Sequence, residues 1–325
     1  MRLNLLLLIL LALTIALAMA LGETPLNLAQ YRQALTDPSS PAAEIIFGVR
    51  APRAATAALV GAALGLSGAV MQGLLRNPLA DPGVLGVSAA AGLGAAAAIA
   101  LGFAALPGGL EAAALAGALG AGALVAVLAA RFREPETLIL FGVALAALGG
   151  ALTALILNLS PSPVTANDVL KWLLGSAADR DWSDLGLALL PMVPGAALCA
   201  YAARGLRMLT LGEETAAMSG LPMARLRVAA VAGAALLTGA SVALAGVIGF
   251  VGLASPHLVR GSVSDDPART LLPSTLVGAV LLVAADLAAR MIPTPEELKL
   301  GVVTALFGAP LFALVAWRAS RSWRA

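Results

Sequence analysis

The chain has 325 residues, 60% of them hydrophobic and only 12% charged, with a formal net charge of +2. A soluble domain carries about 25% charged residues, so this composition, with a mean hydropathy of +0.94, excludes a globular cytosolic protein. The small basic surplus sits in short loops between apolar runs, which excludes a nucleic-acid surface and points to a protein that crosses a bilayer.

Backbone groups in hydrocarbon must be satisfied internally, so continuous apolar runs predict helices, and a transmembrane barrel would instead alternate in polarity. A crossing takes roughly 20 residues. By length and flanking breakers, ten spans are expected: 3–22, 54–75, 88–106, 112–130, 138–159, 185–203, 228–245, 247–259, 271–291 and 300–317. The fold class is therefore all-α, a single polytopic membrane domain over 1–325. The first span follows Arg2 and ends in Ala18-Met19-Ala20, as a signal peptide does. Its apolar stretch is longer than the roughly 7–15 residues of a signal, so it reads as a retained span.

The second span contains Gly61-Ala-Ala-Leu-Gly65, a GxxxG pattern that lets helix backbones approach closely, and Gly117, Gly120 and Gly122 crowd the fourth. Gly61-Ala-Ala-Leu64 recurs as Gly233-Ala-Ala-Leu236, which hints at two related halves. Between the second and third spans, Arg76–Gly83 holds two prolines and a glycine and forbids a straight helix. It is either a tight turn or a constriction in a pathway. In the sixth span, the lone Cys199 reads as a small core residue that has no partner for an intrachain disulfide.

Leu211–Arg225 predicts a short loop helix starting near Gly212. Glu213 and Glu214 favour its first turn, and Gly220 and Pro222 stop it. Its apolar face either lies on the membrane or docks a partner. The eighth span is short and carries Pro256, the mark of a broken or half-depth helix. In the ninth, Asp286 and Arg290 stand four apart, the spacing of a helical ion pair. Asp286 is also the main carboxylate that a stand-alone secondary transporter or channel could use for a coupling ion.

Placing the N-terminus in the cytoplasm puts Arg2, Arg76, Arg131, Arg133, Arg204, Arg207, Arg225, Arg227, Arg260, Arg269, Arg318, Arg321 and Arg324 inside. Arg32, Arg50, Arg53, Lys171, Arg180, Arg290 and Lys299 then lie outside, thirteen against seven. Basic loops face the cytoplasm, so both termini are expected there. A phosphate-binding loop needs GxxxxGK followed by Ser or Thr. The two lysines precede Trp172 and Leu300, so any ATP is hydrolysed on another polypeptide. With His257 the only histidine, no histidine metal cluster or proton relay can be built from this chain alone.

Several segments together resemble one family. They are Arg50-Ala-Pro-Arg53, Leu66–Gln72, Asn77–Ser88, Gly212-Glu213 with Gly220-Leu221, Gly246–Leu253 with Pro256-His257 and Arg260, and Gly301–Pro310. The chain resembles, from about 45 to 317, the permease subunits of type II ABC importers for ferric siderophores, haem and cobalamin, the FecCD family. The resemblance implies a homodimer of ten-helix subunits around a central pathway in the cell inner membrane. It implies two cytoplasmic subunits that bind ATP and magnesium, and a periplasmic substrate-binding protein. Nucleic acid is not a partner, and no catalytic, cofactor-binding or metal residue is expected on this chain.

By that resemblance the loop helix, with Gly212, Glu213, Ala217, Gly220 and Leu221, inserts into a groove on the ATPase. Asn77 and Leu79 match a cytoplasmic gate that Pro135-Glu136 flanks. Arg50, Arg53 and Arg290 match arginines that meet acidic residues of the binding protein. His257 reads as a structural hydrogen-bonding group. One departure stands out: the family's Glu-Leu-Pro-x-Gly is here Glu297-Leu-Lys299-Leu-Gly301, which adds a charge and frees the backbone in an outer loop. The residues do not separate haem, siderophore and cobalamin as cargo.

Overall fold

The computed structural model describes residues 2–322 apart from 23, 133, 134, 161, 264, 265 and 295. Arg133 and Arg324 lie outside the described residues, as do the side chains of Pro135, Arg318 and Arg321. The described residues form helices and no strands. In chain order these are α1 (Arg2–Ala20), α2 (Leu28–Thr36), α3 (Pro41–Leu75), α4 (Val87–Ala100), α5 (Gly109–Arg131), α6 (Pro135–Asn158) and α7 (Pro163–Leu173). There follow α8 (Trp182–Met208), α9 (Glu213–Met218), α10 (Met223–Ala245), α11 (Val251–Arg260), α12 (Pro267–Met291) and α13 (Leu300–Ser322).

Among the described residues, seven helices are long and apolar enough to cross a bilayer: α1, α3, α5, α6, α8, α10 and α12. The expected third, eighth and tenth spans correspond to α4, α11 and α13. Helix α4 has 14 residues, not the nineteen expected, because Gly102 and Gly108 adopt φ of +78° and +72° and turn the chain. Helix α11 has ten residues, and the backbone before it is broken by φ of +73° at Gly246 and +68° at Phe250. A half-depth helix was expected here.

Helices α3 and α10 form the buried centre, and α1 and α6 are the most exposed. Helix α12 packs along α3, and α10 packs against α3, α5 and α8. The GxxxG pattern makes the first contact possible. A Cβ on Gly61 would stand 2.2 Å from the Gly278 carbonyl oxygen, and one on Gly278 would stand 2.2 Å from that of Gly61. The recurring Gly233 meets a different neighbour, since its Cβ would stand 2.8 Å from Cys199 Sγ on α8. Cys199 is fully buried there, as a small core residue.

Two helices have clear starting signals that apolar run length does not register. At α2, Asn27 Oδ1 accepts from the Gln30 amide and the Gln30 side chain accepts from the Asn27 amide, a reciprocal cap. At α7, Ser162 caps the Val164 amide and Pro163 occupies the first helical position.

Candidate functional site

Chemistry-bearing residues gather at the two ends of the bundle. At one end α3 begins and α1 and α12 finish. Here Arg53 projects from the first turns of α3 beside the last turns of α12. Its Nε and Nη2 donate to Asp286 Oδ1 at 3.0 and 2.9 Å, and its Nη1 donates to Glu297 Oε2 at 3.1 Å. Arg290 Nε lies 3.2 Å from Asp286 Oδ2, which is the four-residue pair expected from spacing. Its Nη2 donates to the Ala18 carbonyl at 3.3 Å. Arg50 donates to the Met19 and Ala20 carbonyls, both at 3.1 Å, and also to the Thr24 carbonyl. Two guanidiniums thus sit on the carbonyl end of α1, where a helix favours positive charge.

The arrangement turns these arginines inward. Arg50 is 4% exposed, Arg290 8% and the Arg53 side chain 12%. They join α1, α3, α12 and the 292–299 loop to one another instead of standing as free surface charges. Asp286, 1% exposed, lies between two guanidiniums, so its own carboxylate is engaged by ion pairs. Lys171 pairs with Glu296 at 3.4 Å, so the loop that carries the unusual Lys299 is held by two side-chain contacts. It is also held by backbone: Leu300 and Gly301 donate to the Gly175 and Leu174 carbonyls, each at 2.9 Å. Only glycine fits at 301, because a Cβ would stand 2.4 Å from the Leu174 oxygen.

At the opposite end α3 stops at Arg76, whose φ is 49°. Two side chains then fold the turn. Asn77 Oδ1 accepts from the Leu79 amide at 2.9 Å, and Asp81 Oδ1 accepts from the Gly83 amide at 2.7 Å. Asn77 lines a cavity of about 210 Å³ with Gln72, Arg76, Thr210 and Arg260. Arg260 Nη2 donates to Gln72 Oε1 at 2.7 Å, and this polar pair fixes α11 against α3. Leu79 is 44% exposed. Glu136 lines a neighbouring cavity of about 340 Å³ that shares Arg76 and also contains Glu213 and Arg227. Asn77 and the Glu136 end of α6 therefore lie in one region, lining two cavities that share Arg76 and Leu209. His257 is half-buried and makes no hydrogen bond among the described residues.

The loop helix α9 lies at this same end. Gly212 precedes it at φ +97°, and Gly220 follows it at φ +83°. Leu211, Glu214, Ala217 and Met218 are exposed, Met218 to 82%, while Ala216 is buried. Glu213 points the other way and pairs with Arg227 near the start of α10. Nothing in local spacing links positions 213 and 227; the available signal was Arg227, with Arg225, at the start of an apolar helical run.

Comparison with known proteins decides what this two-ended arrangement belongs to. The model of the FecCD transport family matches residues 8–318. The chain belongs to the FecCD transport family. As an ABC importer permease subunit of that family it is a multi-pass membrane protein, and such subunits are not themselves enzymes. It is 41% identical over 287 residues to the vitamin B12 import system permease protein BtuC of Escherichia coli O157:H7 (strain EC4115), covering 87% of this chain and 86% of the relative. It is 42% identical over 273 residues to the cobalamin import system permease protein BtuC of Halobacterium salinarum, covering 83% and 73%. A 40% identical relative over 287 residues, the ABC transporter permease protein YvrB of Bacillus subtilis, covers 86% of this chain and 80% of its own length. Among solved structures, an inward-facing metal-chelate type ABC transporter superposes with a TM-score of 0.85 at 33% identity, covering 98% of this FecCD chain and 99% of the other.

Proposed function

We propose that this permease imports cobalamin, or a chelate of similar bulk such as haem or a ferric siderophore. A periplasmic binding protein delivers the cargo, and two separate subunits that bind ATP and magnesium drive the step. The observation that carries the cargo reading is the 41–42% identity to permeases named for vitamin B12 and cobalamin across more than four fifths of this chain. The structural neighbour's metal-chelate cargo supports the broader class.

The inside end is the one with Asn77, Leu79 and α9. Its exposed apolar residues Leu211 and Met218 suit a groove on an ATPase, and Asn77 and Leu79 form the inner gate. The outside end is the one with Arg50, Arg53 and Arg290. There the binding protein's acidic lobes dock, and the buried placement of the arginines gives them an indirect part in docking: they hold the shape of the surface, with Arg53 nearest to it. Charge at such a surface contributes more to orientation and association rate than to affinity. Two copies pair so that the pathway runs between them. Exposed apolar residues on α6 (Leu140 and Leu148) and on α13 (Phe307) support that pairing. The transport work comes from differential affinity of ATP for the outward and inward states.

The test is ATP hydrolysis by the permease with its ATPase subunits in liposomes, stimulated by the binding protein loaded with cobalamin, haem or a ferric siderophore in turn. Cobalamin is expected to give the greatest stimulation. Stimulation by haem or siderophore alone would overturn the preference for cobalamin, and stimulation by none of the three would overturn the cargo reading.

A further inference from the structure

A loop helix that couples two proteins has two tasks, gripping its partner and moving the membrane helices behind it. The geometry gives these tasks to different side chains of α9. Glu214, Ala217 and Met218 face outward, as does Leu211 just before the helix. Glu213 instead reaches back to Arg227 on α10, whose side chain is only 9% exposed. The same guanidinium donates through Nη1 to the Phe132 carbonyl at the end of α5, at 3.2 Å. Arg227 therefore joins α9 to α10, the most buried of the spans, and to α5.

The covalent route between α9 and α10 passes through Ser219–Pro222, where Gly220 has φ +83°. The Gly220 and Leu221 amides donate to the Ala217 and Ala216 carbonyls, so the backbone bonds of this turn close onto α9 and not onto α10. A partly buried, charge-assisted pair is directional, and it ties the α9 side chain directly to the α10 side chain.

We propose that the Glu213–Arg227 pair is a strut that makes α9 and α10 move together. Glu213 is thus a positioning residue for energy coupling and not a contact of the ATPase. The inference rests on the reading that α9 docks an ATP-hydrolysing partner. The central helix α10 then carries the displacement to α3, α5 and α8, which pack on it.

The test compares Glu213→Arg, Arg227→Glu, the charge-swapped double variant and Met218→Asp, in the permease assembled with its ATPase subunits and binding protein in proteoliposomes. Two quantities are read: affinity of the permease for the ATPase subunits, and cargo moved per ATP hydrolysed. Each single strut variant is expected to lower cargo per ATP by about tenfold with affinity changed less than about threefold, and the swap to restore at least about half of the loss. Met218→Asp is expected to weaken ATPase affinity directly. Because Arg227→Glu places an acid in a buried position, Glu213→Gln serves as the milder variant, with an expected loss in cargo per ATP of about threefold. A swap no better than the single variants, or a Glu213→Arg that loses ATPase affinity as Met218→Asp does, overturns the strut while leaving docking in place. Unchanged affinity in Met218→Asp overturns the docking reading, and the strut with it.

Discussion

Asp286 shows how a residue that looks like an ion carrier in the sequence becomes a structural centre. Arg53 grips one face of its carboxylate and Arg290 lies beside the other, in a position 1% exposed. Removing one side of a buried pair costs about 3–5 kcal/mol because the remaining charge is uncompensated. Asp286→Ala and Asp286→Asn each remove the charge, and both are therefore expected to lower the thermal unfolding temperature in detergent. An Asp286→Asn variant as stable as the wild type would show that the charge is not what stabilises this end. The Asp81 carboxyl presents a different case. Burial pushes it from the ordinary 3.8 up to about 6, offset by the hydrogen bond from Gly83. The folded state then holds this proton more tightly than the unfolded chain, so its contribution to stability is greatest at low pH and declines as pH rises through about 4 to 6. Asp81→Asn is expected to flatten that part of the stability profile in purified permease. A profile parallel to wild type from pH 4 to 7 would contradict it.

Among the elements, the α3–α12 contact depends on backbone proximity at Gly61 and Gly278. A larger side chain at Gly61 must push α12 away, because the Gly278 oxygen occupies the space. Gly61→Leu is expected to destabilise by at least about 1–3 kcal/mol, whereas Gly120→Ala, with nothing within 4 Å of its Cβ, should leave the unfolding temperature unchanged. Equal effects would refute this packing account. Helix α1 is bound to the rest by Arg50 and Arg290 at its carbonyl end. Deleting residues 1–22 should therefore lower the yield of folded permease, and a stable truncated protein would show that the two arginines find other partners. The long elements were legible because apolar run length alone defines them. Helices α2 and α7 were not read, although Asn27 with Gln30 and Ser162 with Pro163 carried their starting signals. The shortening of α4 turned on left-handed glycines at 102 and 108, which composition does not reveal. The Arg53–Asp286 and Glu213–Arg227 pairs join residues distant in sequence, and only the folded chain brings them together.

On the scale of the whole molecule, two ends with different chemistry are joined by a charge-poor middle. The resemblance seen in Asn77–Ser88 and Gly301–Pro310 extends to the family match over 8–318. Composition alone did not show that Arg50 and Arg290 are buried and Arg53 only partly exposed, since their burial depends on partners far away in the chain. Pairing of two copies can be tested with single cysteines on α6 or α13, because the native Cys199 is fully buried. A cysteine at Leu148 or Phe307 is expected to crosslink into a dimer in membranes, and monomer at every position would contradict the proposed pathway between copies. The central claim is that this chain is a conduit driven by other proteins, and uptake into ATP-loaded proteoliposomes tests it most directly. The permease reconstituted alone is expected to move no labelled cobalamin, and addition of the ATPase subunits and loaded binding protein to start uptake that stops when ATP is removed. Uptake by the permease alone, at the same rate with or without ATP, would contradict the account.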